Sequence, residues 1–330
     1  GGHIDSCKEC GYTHLFFHSC SNRSCPKCHA NHTQKWLDKR RSTLLQAPYF
    51  HVVFTLPCEL RRIVRSNQAP LYNCLFRAAT YALSKLMADS RFAGGIPGML
   101  AVLHTWTRTM EYHPHAHFLL PAGVISKDKL QWHPIKRKKF LVPIKILSSI
   151  FRARFMKLAR KELPAVTFPQ SVWKKQWVVY PKPFEKGGEK VLEYRGRYLH
   201  RIAITNNRIL ADNNGKITFK YQNSGTGEWK KMTLPAHEFM RRFLQHVLPR
   251  GFHKIRYYGF LTPKYKQTVY SLKLILETSR RKTADKSEVS DKNHYYRRCP
   301  KCKSGIMVIE VHFFYTKTTL LFVRPPPCKE

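Results

Sequence analysis

The stretch EYHPHAHFLLPAG, residues 111–123, decides how this chain is read. Three histidines, His113, His115 and His117, stand at alternate positions ahead of an apolar run. In an extended strand that spacing puts all three on one face and Ala116 on the other. A buried imidazole without a partner is costly, so the shared face should offer these rings something. Two imidazoles two residues apart can hold one divalent cation if a third ligand comes from elsewhere. Ordinary core or surface packing is the other reading of an H-x-H pair. His113, His104 and Glu111 are equal candidates for the third ligand.

Working outward, PYFHVVFTLP (48–57) is rich in Val and Phe and closes on Pro, which predicts a strand. LYNCLFRAATYALSKLMADSRF (71–92) has helical apolar spacing through Leu71, Cys74, Leu75, Ala78, Tyr81, Ala82 and Leu86. GMLAVLHTW (98–106) and HAHFLLPAG (115–123) read as two further strands. IKRKKFLVPIK (135–145) is a basic loop, either a solvated charge run or a phosphate contact through Lys136 and Arg137. PIKILSSIFRARFMKLARKEL (143–163) predicts a basic amphipathic helix and KQWVVYP (175–181) a strand. EKVLEYRGRYLHR (189–201) reads as helix despite Gly196. The short runs IAIT, KITFKYQ and EWKKMTL, separated by Asn- and Gly-rich turns, predict a β-meander near 202–233. PAHEFMRRFLQHVLP (235–249) predicts a helix and HKIRYYGFL (253–261) a strand. From about residue 275 the chain is charged and patternless, which reads as a linker to CPKC. The alternation is not a uniform βα series. It predicts an α+β fold with helices on one face of the sheet.

The 330 residues carry 59 Lys plus Arg against 20 Asp plus Glu, a formal charge of +39. That excess repels itself unless a polyanion neutralises it. The basic residues are spread along the chain rather than gathered on one amphipathic helix, which favours nucleic acid over an anionic membrane. No run of 18 apolar residues predicts a membrane span, and no signal-peptide pattern opens the sequence. A cytoplasmic location, with no membrane partner, is expected.

Five of the ten cysteines crowd into residues 7–28. Cys7-x2-Cys10 is followed after fourteen residues by Cys25-x2-Cys28, close to the four-cysteine zinc pattern. Cys20, His3 and His18 are spare donors, so a second site is open. Cys299 and Cys302 supply half of a tetrahedral site, to be completed by His294, His312, Cys328 or a donor from the first segment. The zinc segment serves either DNA recognition or as a structural clamp.

Tyr194 and Tyr198 are spaced i,i+4, one turn apart on a helical face. Arg195, Arg197, His200 and Arg201 make their surroundings cationic, which favours phenolate and seats phosphates. Two tyrosines at this spacing also suit plain packing. Cleaving a phosphodiester needs a nucleophile, a cation on the phosphate and positive charge along the strand. Tyrosines, paired histidines and the net charge offer all three.

These segments together resemble the IS91/ISCR-type transposases, a rolling-circle branch of the HUH endonucleases. SCSNRSCPKC, YFHVVFTLP, LAVLHTW, YHPHAHFLLPAG, RYLHRIAITNNRI, LPAHEFMRRFLQHVLPRGFHKIRYYGFL and CPKC follow in the family's order. The resemblance implies an RRM- or ferredoxin-like antiparallel sheet with the histidines on a central strand and the tyrosines on a helix beside it. It implies that His115 and His117 bind Mg²⁺ or Mn²⁺, and that Tyr194 and Tyr198 are the paired nucleophiles. It further implies a 5′-phosphotyrosine intermediate on single-stranded DNA. Thr107, Arg108 and Cys58 depart from the family's usual residues. The expected organisation is a zinc-binding domain over 1–45, a catalytic domain over 46–272 carrying the meander, and a basic linker with the C-x-x-C segment over 273–330. An oligomer is compatible with this reading. A replication initiator of the same chemistry, or a non-catalytic zinc DNA-binding protein, are the competing readings. A relaxase would place its tyrosine before the histidine motif.

Overall fold

A computed structural model of the chain describes residues 1–18, 22, 24, 25, 45–126, 128, 131–135, 141–184, 202–281, 298–315 and 320–323. In chain order the strands are β1 (Gly2–Cys7), β2 (Thr13–Phe17), β3 (Tyr49–Thr55), β4 (Ile96–Trp106) and β5 (Tyr112–Pro121). They continue with β6 (Gly123–Ile125), β7 (Trp132–Pro134), β8 (Val179–Phe184), β9 (Ile209–Asn213) and β10 (Lys216–Gln222). The last are β11 (Trp229–Pro235), β12 (Ile255–Gly259), β13 (Met307–Tyr315) and β14 (Leu320–Val323). They fall into two compact units, residues 1–28 with 285–330, and residues 29–284.

The larger unit is built on β3, β4, β5 and β8, with helices between β3 and β4 and between β5 and β8. All their pairings are antiparallel, in the order β8-β3-β5-β4. The fourth strand therefore lies beside the first, the first beside the third and the third beside the second. That is the β-α-β-β-α-β ferredoxin-like arrangement, with β12 added against β4. The sheet forms because the Val- and Phe-rich segments alternate between two buried faces. Phe50, Val52, Phe54, Ala101, Leu103, Ala116, Phe118 and Leu120 face the two long helices, Gln68–Met87 and Ile144–Glu162. Those helices return Leu71, Leu75, Ala78, Ala82, Phe151 and Phe155 at helical spacing. Pro70 sits in the first turn of its helix, where its missing N–H costs nothing. On the opposite face, among the described residues, Tyr49, Leu100, Val102 and Leu119 form a small buried cluster.

Pro114 does not turn the chain. The register between β4 and β5 shifts between His104 and Trp106, so Pro114 meets a bulge. β8 begins four residues later than the sequence predicts and carries Pro181 and Pro183, which its place at the edge of the sheet allows.

The meander is formed by β9, β10 and β11. IAIT is not one of its strands: Ile202, Ala203 and Ile204 are buried without strand pairing, and Ala203 and Ile204 join a second core with Met110, Phe219 and Phe239. The helix predicted over 235–249 is shorter, Ala236–Leu244. The charged stretch read as linker from about 275 begins inside a helix, Lys266–Arg281, whose Leu272 is buried against Leu45, Ile125 and Phe260. Its dense charge hid an apolar stripe.

The smaller unit is a four-stranded antiparallel sheet in the order β14-β13-β1-β2. It draws both ends of the chain into one body, in place of separate N- and C-terminal segments. Predictions that fall on residues 189–201, 136–140 and 282–297, and on Cys20 and Cys28, lie outside the described residues.

Candidate functional site

The register of the central strands assembles the histidines. His104 on β4 is the direct cross-strand partner of His115 on β5, and His117 stands two residues along from His115. Period-two alternation gives all three the same face. Their ligand nitrogens all lie within 4.8 Å of one another. The ring centroids are 4.4 Å apart for His104 and His117, 4.8 Å for His115 and His117, and 5.6 Å for His104 and His115. Trp106 stacks on His104 at 4.7 Å and fixes its ring.

The surroundings set protonation. Burial pulls the His115 pKa down to about 4, so the ring is neutral near pH 7. Its Nδ1 lies 2.6 Å from the His113 carbonyl, which can only accept. Nδ1 therefore carries the proton and Nε2 the lone pair, the tautomer a ligating histidine needs. His117 Nδ1 is 2.8 Å from His51 Nε2 on β3, and the two rings stack with 4° between their planes. Burial, with Lys182 nearby, brings His51 down to about 4 as well. A neutral His51 can accept the His117 Nδ1 proton and orient that ring too.

Of the three candidate third ligands, the structure gathers His104. His113 turns instead to Arg61, whose guanidinium donates to its Nδ1 at 2.7 Å. Burial, then the Arg61 charge, lowers the His113 pKa. Glu111 is exposed in the β4–β5 turn.

That turn contains two of the departures noted in the sequence, Thr107 and Arg108. Met110 takes φ 61° without being glycine, in a three-residue loop where Thr107 N donates to Glu111 O at 3.0 Å. The Met110 carbonyl accepts from Gln245 Nε2 at 3.0 Å and His246 Nε2 at 2.9 Å, and its side chain is buried in the core under the meander. Thr105 Oγ1 donates to His246 Nδ1 at 3.1 Å. Arg108 ties the turn to the carbonyls of Gln222 and Asn223. Cys58 lies in the turn after β3, exposed and bonded to Glu59.

In the smaller unit Cys7 and Cys10 meet Cys299 and Cys302. The Cys7–Cys302 sulfur distance is 3.7 Å and the Cys10–Cys299 distance 3.6 Å. Four sulfurs about 2.3 Å from a tetrahedral Zn²⁺ stand about 3.8 Å apart, so the cluster fits the ion. The Gly305 N–H donated to its sulfur brings the Cys302 thiol down to about 6. A Cβ on Gly305 would lie 2.5 Å from the Cys7 sulfur, so the knuckle needs glycine there. Cys25 stands outside this foursome, and Cys28 and Cys20 are outside the described residues. The two C-x-x-C pairs lie about 290 residues apart, and no local spacing announces that pairing. His3 and His18 meet at a separate place, with His312, which the sequence reading had set beside Cys299 and Cys302. Tyr194, Tyr198, Arg195, Arg197, Arg201, Lys136 and Arg137 lie outside the described residues. His51 and His246 escaped the sequence reading because each acts through a cross-strand or long-range contact. Among the described residues no helix is long and apolar enough to cross a membrane.

Comparison with known proteins gives the same picture from outside. Residues 98–268 match the family described as "Putative transposase", and residues 1–56 match a "Transposase zinc-binding domain". The chain is 38% identical to "Putative transposase y4qJ" of Sinorhizobium fredii over 336 residues, covering 93% of this chain and 84% of that protein. It is 28% identical to the "Transposase for insertion sequence element IS801" of Pseudomonas savastanoi pv. phaseolicola over 275 residues, 77% of this chain and 64% of the relative. No solved structure matches. His104, His115 and His117 fall inside the first matched range, and Cys7 and Cys10 inside the second. With both domains present in order, a relative matched over most of both chains and a ferredoxin-like sheet beneath the histidines, this chain belongs to the IS91-type transposase family.

Proposed function

We propose that the protein nicks and joins single-stranded DNA through a 5′-phosphotyrosine, in transposition of the rolling-circle type. The observation that carries this reading is the gathering of His104, His115 and His117 on one face of the sheet. Three converging imidazoles, with burial keeping His115 neutral, suit a divalent cation, and an all-nitrogen set suits Mn²⁺ better than the harder Mg²⁺. The ion would polarise the scissile phosphate.

The chain's own residues do the rest. The Tyr194 or Tyr198 oxygen attacks phosphorus, its proton passing to solvent. The bond from phosphorus to the 3′ oxygen breaks, leaving a 5′-phosphotyrosine and a free 3′-OH. The other tyrosine cleaves a second strand in the same way. The 3′-OH then attacks a phosphotyrosine and restores the phenol. One phosphodiester replaces another, so no nucleotide is consumed. Arg195, Arg197, Arg201, Lys136 and Arg137 are placed by sequence to hold the flanking phosphates. Cys7, Cys10, Cys299 and Cys302 hold structural Zn²⁺.

The test is a hairpin oligonucleotide, labelled at its 5′ or 3′ end, incubated with the full chain and Mn²⁺. The reading expects the 3′-labelled fragment to become covalently attached to protein while the 5′-labelled fragment is released. It expects His115→Ala to lose the adduct and keep DNA binding. Binding by the wild type with no cleavage would overturn it in favour of a zinc protein that only binds DNA.

A further inference from the structure

We propose that His3, His18 and His312 bind a second metal ion, Zn²⁺ or another borderline transition cation, in the smaller unit. This stands independently of the cleavage reaction. His3 on β1 and His312 on β13 are direct cross-strand partners. His18 follows β2 by one residue, held by its N–H to the Gly1 carbonyl at 2.9 Å. Three neighbouring strands thus converge three imidazoles whose ligand atoms lie within 4.8 Å of one another. The ring centroids are 5.5, 5.8 and 6.1 Å apart, the spacing of rings grouped about a common centre rather than stacked as a pair.

Two features around the trio belong to a metal site. Asp5 is buried, with Oδ1 3.4 Å from His3 Nε2. A carboxylate behind an imidazole orients a metal-ligating histidine and raises its basicity, and its charge is offset by a cation in front. Phe16 stacks on His3 at 5.3 Å, giving the site an apolar wall. Imidazole donors favour Zn²⁺, Ni²⁺ or Cu²⁺ over Mg²⁺ or Ca²⁺.

The energetics of the unit point the same way. Its buried hydrophobic residues, among those described, are Cys7, Cys299 and Phe313. A small unit gains much of its stability from staples. The four cysteines bind one end of β1 to the C-terminal strands. His3 is four residues from Cys7, about 13 Å along the strand, so the histidines act as a second staple at the other end. Both staples join chain segments nearly 300 residues apart in sequence, where a cross-link offsets the most loop-closure entropy.

The experiment uses the full chain with His115→Ala and His117→Ala, which silences the trio on the larger sheet. Zinc is exchanged for cobalt, metal is counted by mass spectrometry, and the absorption spectrum is recorded. The proposal expects two cobalt ions per chain: one with the intense thiolate charge-transfer band of a four-sulfur site, one with only weak visible bands of nitrogen ligation. His312→Gln should remove the second ion and its bands while the thiolate band persists. One ion per chain, or two ions of which neither responds to His312→Gln, would overturn it. Should His312→Gln also lose the thiolate band through unfolding, the unsubstituted site decides: a nitrogen-ligated component supports the proposal and its absence refutes it.

Discussion

His104 and His113 lie near each other around one bulge, yet they face different partners. His104 joins His115 and His117, whereas His113 is held by Arg61. The account therefore predicts that His104→Ala lowers Mn²⁺-dependent cleavage by at least about 100-fold, the upper end of what losing even an outer partner of a metal ligand brings. His113→Gln and Glu111→Gln should each stay within about tenfold, measured as initial nicking rates. The sequence showed the H-x-H pair directly, because period two is a local property. It could not say which candidate stands beside the pair, because that is set by the β4–β5 register. Gly305 and the cysteines teach the same lesson: each C-x-x-C is visible alone, but their meeting is a tertiary event. His246 carries a pH prediction. Burial lowers its pKa from 6.5 to about 4, against the favourable bond to the Met110 carbonyl. Between those values the unfolded chain takes up a proton that the folded chain refuses. The stabilisation is complete above about pH 6.5 and is lost as pH falls towards 4, by at most about 3 kcal/mol. His246→Gln should flatten the dependence on pH of denaturant midpoints across that window relative to wild type.

At the scale of elements, the β4–β5 hairpin aims the site. Its αL position is occupied by Met110, and an L-residue there costs roughly 1–2 kcal/mol. The cost is offset by two hydrogen bonds to its carbonyl and by a side chain buried among Ala203, Ile204, Phe219 and Phe239. Met110→Ala removes the side chain and keeps the strain, and a buried Met→Ala costs about 2–5 kcal/mol. Met110→Gly loses the same packing but is free to take positive φ. Thermal denaturation should show both variants destabilised, with Ala no more stable than Gly and less stable by up to about 1 kcal/mol. This inverts the usual order of the two residues. Most long elements were legible beforehand, since their apolar periodicity is strong: β3, β4, β5 and the helices Gln68–Met87 and Ile144–Glu162. IAIT misled because buried β-branched residues need not pair. Lys266–Arg281 misled because four Lys and Arg residues in sixteen positions mask a narrow stripe.

At the scale of the molecule, the proposed DNA binding rests on the charge of +39. A single-stranded site neutralising about six phosphates gives a log–log salt slope of about −4. Fluorescence anisotropy on an oligonucleotide from 50 to 300 mM salt should approach that slope, and a flat response would contradict a phosphate-led interface. Charge and class of partner were readable from composition alone. The union of the two chain ends in one unit was not, since no local pattern carries contacts across the whole length. The most direct measurement of the central claim is peptide mapping, by mass spectrometry, of the adduct formed with single-stranded hairpin DNA and Mn²⁺. The account predicts the nucleotide on Tyr194 or Tyr198, and no adduct when both are Phe. Attachment at another tyrosine, such as Tyr257 on β12, or an adduct surviving the double substitution, would contradict it.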